Sequence, residues 1–363
     1  MIDFELPPDL ELLRQTACSV ARERLQPAER RFEAERAVDP AVRALFAEIG
    51  LARVELPEAM GGAALGSLAR ALVLEELGAG DPGAALALDP LGPAACVLEE
   101  LAGSEALAEL GAPLLTDLGA RAVLVHDRRP RLHERRGAVS GVFPWVPADR
   151  VDLLVVLEME RAYVLREGIS LAPVRGAGLR AAGASELRLD GAPIVASFVS
   201  TTAARRALAR ARLYVASLLL GVMRRAFEYA TEYALGRVAF GRPIAHHQAL
   251  AFLIADLATA VEGCRALVHE AAWRRDRGDD AAEACASAHV ECCEQALFVT
   301  PSALQILGGH GFMQDHPVEK FMRDARALSL WLGGVDASRE DAGRDLDELE
   351  IPVALTPPGP TWT

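Results

Sequence analysis

The hydrophobic pattern of this chain changes its period twice, and that order limits the folds that the chain can adopt. Up to about residue 117, apolar residues recur at helical spacing, as Leu13, Ala17 and Val20 do. From about 118 to 197 the pattern breaks into short apolar runs bounded by glycine, proline or charged residues, which is typical of strands. From Thr201 onward helical spacing returns. The sequence therefore predicts an α+β protein with a small β domain between two helical domains.

The predicted boundaries follow these changes of period. We expect an N-terminal helical domain at 1–117, a middle β domain at 118–197, a C-terminal helical bundle at 198–349 and an extended, proline-containing tail at 350–363. Strands are predicted at 122–126, 138–143, 151–159, 162–165 and 186–190. Helices are predicted at 40–50, 67–77, 92–101, 201–236, 247–275 and 280–307. Ser67 is expected to cap the second of these helices, and Pro301 is expected to kink or interrupt the last.

Composition excludes several classes of protein. With 363 residues, half of them apolar, the chain can bury a large core. A formal charge of -13 argues against a protein that binds nucleic acid or anionic membranes, because such a protein needs a basic face. The longest strongly apolar run, 213–223, is too short to span a bilayer, and residues 1–7 lack the basic and apolar regions of a signal peptide. We therefore expect a cytoplasmic protein that binds neither nucleic acid nor membrane.

The cysteines indicate packing rather than crosslinking or metal binding. All 6 are scattered through helical patterns without paired spacing, which is typical of buried thiols in a reducing compartment. His289, Cys292 and Cys293 occupy neighbouring positions of one predicted helix and are of the types that bind zinc. The sequence offers no evident fourth ligand, so packing is the favoured interpretation and no metal site is predicted.

A glycine-rich turn follows the helix predicted at 280–307. Gln305 lies in the last turn of that helix, and Gly308, Gly309 and Gly311 come after it. Glycine backbone can adopt positive φ and approach a ligand such as a phosphate closely. Taken alone, however, an ordinary turn between two helices explains these glycines better.

The next helix is predicted to begin at Pro317, with Asp315 as its cap and Glu319 in its first turn, and to end at Gly333 and Gly334. Its apolar residues fall at helical spacing, which predicts one buried face. That face is formed by Val318, Phe321, Met322, Ala325 and Leu328. The charged residues predicted to lie elsewhere are Lys320, Arg323, Asp324 and Arg326.

The stretch 305–334 resembles the C-terminal signature of the acyl-CoA dehydrogenase family. In that signature a glutamine, a double glycine and a proline-led helix with Arg-Asp-Ala, here Arg323, Asp324 and Ala325, precede the catalytic end. The order of helical, β and helical domains is similar to the family over nearly the whole chain. The resemblance implies a C-terminal four-helix bundle, FAD bound between this bundle and the β domain, and an acyl-CoA or acyl-carrier thioester as the substrate.

The resemblance also implies a set of cofactor-binding residues. An Arg-x-x-Phe-Gly motif, a downstream glutamine and the glutamine and double glycine above help to hold FAD in the family, largely the FAD of the neighbouring subunit. Arginine supplies paired donors for a pyrophosphate, and glutamine both donates and accepts. The matching residues are Arg237, Phe240, Gln248, Gln305, Gly308 and Gly309. FAD is therefore expected to be shared across a subunit interface, although a solvated arginine and a simple turn would explain the motif taken alone.

The β-domain side of such a flavin site departs from the family. An arginine-rich segment, 126–136, occupies the place of the family's acidic-proline-glycine-serine-aspartate loop. Its arginines could contact CoA phosphates, but a solvated loop is the favoured interpretation. Trp145 matches the aromatic residue beside the flavin ring, and a core or turn tryptophan is about equally consistent with its position.

The catalytic base of the family is replaced. Most members place a glutamate just before a terminal Gly-Thr, and some place it on an earlier helix just before an arginine. The matching positions hold Leu332 and Ala211, and neither side chain can accept a proton. A positioned general base contributes about 10² to 10⁴ in rate, so a conventional dehydrogenase acting alone is disfavoured. The resemblance further places Arg212, Trp331 and Gly333 at the substrate.

Nearby groups do not replace that base convincingly. Asp336, Glu340 and His310 are expected to be surface or cap residues. The leading hypothesis is a non-catalytic subunit that works with a homologous catalytic acyl-CoA dehydrogenase subunit in a dimer or heterotetramer, with electron-transfer flavoprotein as a further partner, in lipid or steroid metabolism. The alternatives are a self-sufficient flavoenzyme with altered thioester chemistry and a non-enzymatic subunit that binds acyl thioesters or acts as a scaffold.

Overall fold

The computed structural model of the chain describes residues 6–126, 128 and 131–344. The N-terminal helices are α1 (Pro8–Val20), α2 (Glu29–Glu35), α3 (Pro40–Ile49), α4 (Gly66–Gly80), α5 (Pro82–Leu88) and α6 (Ala94–Gly111). The C-terminal helices are α7 (Thr201–Gly236), α8 (Gln248–Asp276), α9 (Ala282–Leu307), α10 (Val318–Leu330) and α11 (Gly334–Gly343). A π-helical segment, Ala21–Leu25, follows α1 directly. The predicted tail at 350–363 lies outside the described residues.

The strands lie between the two helical groups, as predicted. They are β1 (Ala122–His126), β2 (His133–Arg135), β3 (Ala138–Val146), β4 (Leu153–Leu157), β5 (Arg161–Leu165), β6 (Ile169–Pro173) and β7 (Ser185–Val199). A separate hairpin, β8 (Val238–Ala239) and β9 (Arg242–Pro243), follows α7. Short 3₁₀ segments are Gln26–Ala28, Leu51–Arg53, Glu58–Met60, Ala112–Leu115, Arg180–Ala182, Ile244–His246, Gly308–Phe312 and Trp331–Gly333. The α+β architecture is thus confirmed.

One seven-stranded sheet forms the β domain, in the order β1-β4-β5-β7-β3-β2, with β6 also paired to β7. Only the β1 and β4 pair is parallel among the described strands. The long strand β7 joins the sheet because its first half pairs with β3 and β6 and its second half pairs with β5. β4 is buried along its whole length, which explains its unbroken apolar sequence.

Helix α7 organises the rest of the fold. It packs against α4 and α6 of the N-terminal group and against α8, α9 and α10 of the C-terminal group. Two glycines bring α4 and α7 into backbone contact, since a Cβ atom on Gly221 would lie 2.0 Å from the Glu75 carbonyl oxygen and one on Gly78 would lie 2.4 Å from that of Leu218. At these two points α4 and α7 are in contact without intervening side chains. None of the helices in the described ranges combines the length and the apolar character that a bilayer crossing requires.

Two predictions of helix caps are wrong, and the interruption predicted at Pro301 does not occur. α4 begins at Gly66, and the Ser67 hydroxyl donates to Glu55 Oε1 over 2.8 Å instead of capping the helix. α9 continues through Pro301 without interruption, with the preceding Thr300 hydroxyl bonded to a backbone carbonyl one turn earlier. α10 starts at Val318 without a side-chain cap, so Asp315 has no capping role.

The prediction that Lys320 and Asp324 lie outside the buried face of α10 is also wrong. Lys320 Nζ lies 2.6 Å from Asp324 Oδ2 and 3.2 Å from Asp81 Oδ2, and all three side chains are buried. The Leu179 backbone N–H donates to Asp324 Oδ1 over 2.6 Å, and Asp81 caps α5 by accepting from Ala84 N. This cluster, termed the Lys320 cluster, joins the N-terminal helices, the β domain and α10 through paired charges.

Glu29 lies beside the Lys320 cluster, and its raised pKa predicts that the free energy of unfolding depends on pH. Burial raises the pKa of Glu29 from its model-peptide value of 4.5 to about 7, although Lys320 opposes the rise. Because the folded state holds this proton more tightly, the group's stabilising contribution is complete below pH 4.5 and is lost as the pH rises towards 7. We therefore expect Glu29→Gln to be about 1 to 2 kcal/mol more stable than the unmodified protein at pH 8, and equally stable at pH 4.

Urea unfolding at the two pH values measures that difference. Glu23→Gln is the matched control, because Glu23 is exposed on the adjacent π-helical segment. A stability difference for Glu29→Gln that is the same at pH 4 and pH 8 would contradict the assignment.

Candidate functional site

Leu332 and Ala211, the two residues predicted to match the family's base, are apolar and buried. Leu332 lies in the 3₁₀ segment between α10 and α11, is 2% exposed, and has a φ of 52° in the left-handed region. Ala211 lies in the middle of α7 and is fully buried. A proton acceptor is therefore absent from both side chains.

Arg212 holds the segment that contains Leu332. Its Nη1 atom donates to Asp341 Oδ2 over 2.6 Å, and its Nε and Nη2 atoms each lie 3.3 Å from the Leu332 carbonyl oxygen. The side chain is 1% exposed, and burial lowers the pKa of Arg212 although Asp341 opposes the change. These bonds use three of the five N–H groups of the guanidinium. Trp331, the other large residue predicted at the substrate, is also buried.

His126 lies beside this segment and was not predicted from the sequence as an individual site residue. A Cβ atom on Gly333 would lie 3.4 Å from His126 Cδ2 and 3.5 Å from Arg212 Nη2, so the imidazole fills the space next to the glycine. His126 Nδ1 lies 2.9 Å from the Leu157 carbonyl oxygen, which can only accept, so Nδ1 carries the proton. Nε2 is buried without a hydrogen-bond partner among the described residues, and burial lowers the pKa of His126 to about 4. The ring is therefore a neutral acceptor at neutral pH.

The Arg-x-x-Phe-Gly motif forms an exposed hairpin after α7. Arg237 follows the last residue of α7, and its side chain makes no hydrogen bond or ion pair to the described part of the chain. Phe240 and Gly241 form the hairpin turn with φ values of 52° and 79°, and Phe240 is 95% exposed. Two residues with positive φ are typical of a type I′ turn. Gln248, the first residue of α8, is exposed as well.

The glycine turn after α9 differs in detail from the prediction. Of its glycines only Gly308 has a positive φ, 59°. Gly311 is required for packing instead, because a Cβ atom there would lie 2.5 Å from the Leu304 carbonyl oxygen. Gly309 faces open space, and Gln305 is exposed. The turn therefore presents its backbone and a glutamine amide to the surroundings.

The hairpin and the glycine turn share one side of the molecule. Tyr233 lies one helical turn before Arg237, and its hydroxyl lies 2.7 Å from His310 Nδ1 in the glycine turn. A second pair, Tyr229 and His316, repeats this contact at 2.8 Å, and the two imidazole rings stack 5.6 Å apart. We use the term outer face for the exposed set on this side, Arg237, Phe240, Gln248, Gln305, Gly308 and Gly309. Its guanidinium, amides and open backbone can donate to a phosphate.

A cavity of about 540 Å³ lies between the β domain and α9 and α10. The β domain contributes Trp145 and the loop 176–178 to its walls. The helices contribute Leu297, Pro301, Met322, Arg323, Arg326, Ala327 and Leu330. Trp145, predicted to contact a flavin ring, therefore lines a cavity whose walls are almost entirely apolar.

The remaining candidates pack or lie on the surface. His289, Cys292 and Cys293 are buried in α9, with His289 Nδ1 2.8 Å from the Ser338 hydroxyl oxygen. Burial raises the pKa of Cys293 to about 12 and lowers that of His289 to about 3, so the thiol stays protonated and the imidazole neutral. Across the described ranges no group of three metal-ligating side chains comes together.

The arginine-rich segment is only partly described, since residues 127, 129 and 130 lie outside the described ranges. Arg128 pairs with Glu340 Oε2 over 2.5 Å, and the Glu340 side chain is largely exposed. Asp336 is also exposed, as predicted. Arg135 and Arg136, near the tip of the β2 and β3 hairpin, are exposed as well. These residues form a solvated charged surface.

Comparison with known proteins extends the resemblance to whole domains. The signature of the acyl-CoA dehydrogenase N-terminal domain matches residues 7–115, and that of the C-terminal domain matches residues 201–346. Cyclohex-1-ene-1-carbonyl-CoA dehydrogenase of Geobacter metallireducens is 30% identical over 338 residues, which cover 84% of this chain and 89% of that protein.

Two solved structures share the fold at lower identity. Butyryl-CoA dehydrogenase from Megasphaera elsdenii superposes with a TM-score of 0.84 at 21% identity, over 95% of this chain and 100% of that chain. A variant of the Tcur3481-Tcur3483 steroid ACAD superposes with a TM-score of 0.82 at 24% identity, over 94% of this chain and 98% of that chain. The domain arrangement described above is therefore shared along nearly the full length of both.

Proposed function

Because this chain belongs to the acyl-CoA dehydrogenase family, whose members are FAD-dependent oxidoreductases acting on acyl-CoA, we propose that it is the base-lacking subunit of a heteromer. Its partner is a homologous chain that carries the catalytic glutamate. In this arrangement the thioester is oxidised on the partner, and the present chain completes the partner's cofactor site.

One asymmetry carries the proposal. The two positions that match the family's base, Leu332 and Ala211, are apolar and buried, and Arg212 binds the Leu332 backbone and Asp341. The outer face, in contrast, keeps the residue types that hold a neighbouring flavin and leaves them exposed. An unpaired arginine, an exposed aromatic turn and an open glycine backbone occur together here, and this combination favours a retained contact with FAD.

The outer face fits part of an FAD molecule. The unpaired Arg237 guanidinium matches a pyrophosphate, and the Gln248 and Gln305 amides can bond to ribityl or ribose oxygens and phosphates. The open backbone at Gly308 and Gly309 permits close approach. When bound, FAD accepts a hydride from the substrate. The residues of this chain bind and orient the cofactor and take no part in proton transfer.

The proposed substrate class is an acyl-CoA thioester with a lipid or steroid acyl group. The Tcur3481-Tcur3483 steroid ACAD carries two component names, which supports both a paired assembly and a steroid substrate for this chain. An electron-transfer flavoprotein is the proposed electron acceptor of the complex.

We expect Arg237→Ala to weaken FAD retention by the co-purified complex about 10- to 100-fold, because a charge-assisted hydrogen bond to phosphate is removed. Flavin absorbance per complex after gel filtration measures the loss. Arg242→Ala is the matched control, since Arg242 is an exposed arginine of the same hairpin whose guanidinium contacts His247. Equal flavin content in the two variants would contradict the assignment of Arg237.

The same absorbance measurement on the chain purified alone separates the proposal from its rival. A base-lacking subunit purified alone is expected to hold little FAD, and to hold it in near-stoichiometric amount only after co-expression with the partner. Near-stoichiometric FAD and acyl-CoA turnover by the chain alone would instead support a self-sufficient flavoenzyme with altered chemistry.

A further inference from the structure

The cavity between the β domain and α10, here termed the α10 cavity, combines apolar walls with positive charge. Its volume of about 540 Å³ falls within the range of small-molecule sites, which is roughly 300 to 1,000 Å³. None of its lining residues is acidic. Its charged groups are the guanidinium groups of Arg323 and Arg326.

The two arginines differ in what they bind. Arg323 is neutralised within the chain, since it pairs with Glu319 and Glu33 and donates to the Ala177 carbonyl oxygen. Arg326, one position beyond the Arg-Asp-Ala motif, is exposed and makes no hydrogen bond or ion pair to any described residue. The α10 cavity therefore has one uncompensated positive charge in its wall.

A flavin ring fits these walls poorly. An isoalloxazine carries several hydrogen-bonding atoms on its pyrimidine edge, and burying them without partners is costly. The only polar side-chain groups in the lining are the Trp145 indole N–H and the two guanidinium groups.

We infer that the α10 cavity binds an apolar acid, with a hydrocarbon body against the apolar walls and a terminal carboxylate on Arg326. Apolar surface removed from water supplies the affinity, and the charge-assisted bond to the guanidinium orients the ligand. A thioester is the weaker polar end for this guanidinium, because its carbonyl oxygen carries no charge. The inference does not rest on the heteromer proposed above.

Calorimetric titration of the full chain with decanoate and with 1-decanol tests the inference. Decanoate is expected to bind about tenfold more tightly than 1-decanol, because only the acid gains a charged partner. In Arg326→Gln this preference is expected to disappear, with decanoate binding falling to the level of the alcohol. Arg326 is exposed and unpaired, so this variant is expected to fold normally, and its thermal unfolding provides the check.

Two further variants and one further ligand sharpen the test. Arg24→Gln removes an exposed arginine of the π-helical segment, outside the α10 cavity, and is expected to leave the preference unchanged. Ala327→Leu places a larger side chain in the cavity wall and is expected to weaken both ligands. Riboflavin is titrated as the competing ligand and is expected not to displace decanoate.

The inference is overturned by any of three results. The first is the absence of decanoate binding to the folded chain. The second is equal affinity for decanoate and 1-decanol, or a preference that Arg326→Gln leaves intact. The third is stoichiometric riboflavin binding that displaces decanoate, which would identify the α10 cavity as a flavin site of this chain.

Discussion

Lys320→Met is expected to lower the free energy of unfolding by about 3 to 5 kcal/mol, the usual cost of removing one partner of a buried ion pair. The variant keeps an unbranched side chain of similar length but leaves Asp81 and Asp324 buried without a cation. Asp324 also accepts a hydrogen bond from the Leu179 backbone, so the loss reaches the contact between α10 and the β domain. Urea unfolding followed by circular dichroism measures the change.

Arg326→Met is the control for this prediction, because Arg326 lies on the same helix but is exposed and unpaired. It is expected to change stability by less than about 0.5 kcal/mol. Lys320→Arg is expected to destabilise as well, since a planar guanidinium does not match a buried slot shaped for a compact ammonium. A Lys320→Met variant within about 1 kcal/mol of the unmodified protein would show that the cluster contributes little.

Arg212→Met is expected to cost a similar amount, about 3 to 5 kcal/mol, because it removes the buried donor of the Asp341 carboxylate and of the Leu332 carbonyl oxygen and leaves Asp341 only the partly exposed Arg344. The effect is expected to concentrate in the segment from Trp331 through α11, which these bonds attach to α7. Hydrogen exchange of the α11 amides, compared with those of α7, measures this local loosening.

A second substitution provides the control for Arg212→Met. In the double variant Arg212→Met, Asp341→Leu, no buried charge is left unpaired, and only the partly exposed Arg344 loses its partner, so part of the lost stability is expected to return. If the double variant is as unstable as the sum of the two single variants, the ion pair is not the source of the effect.

Much of the fold could be predicted because burial imposes simple periods on the sequence. Strand β1 and helix α7 both have the predicted bounds. Strands β2 and β6 were missed because they are largely exposed and show no apolar alternation. The Lys320 cluster could not be predicted, since the partner carboxylate of Asp81 is distant in sequence and only tertiary packing brings it to α10.

In the candidate site, too, features that depend on local sequence could be predicted and features that depend on tertiary packing could not. The residues of the outer face could be named from the sequence because they belong to motifs in short contiguous stretches. Turns of this kind depend on local sequence. The internal bonds of Arg212 and the position of His126 were not predictable, because each depends on contacts between residues that are far apart in the sequence. The α10 cavity likewise has no sequence signal, since its walls come from β3, the loop 176–178, α9 and α10.

The Lys320 cluster has a chemical consequence for a protein of this family. Lys320 is the only lysine among these 363 residues. Acyl thioesters transfer their acyl groups to uncharged amines, and such transfer needs both an accessible nitrogen and a free lone pair. Lys320 is 2% exposed, and although burial alone would lower its pKa, Asp324 and Asp81 raise it, which keeps the amine protonated. The single lysine side chain of this sequence therefore offers no nucleophile for spontaneous acylation at high thioester concentration.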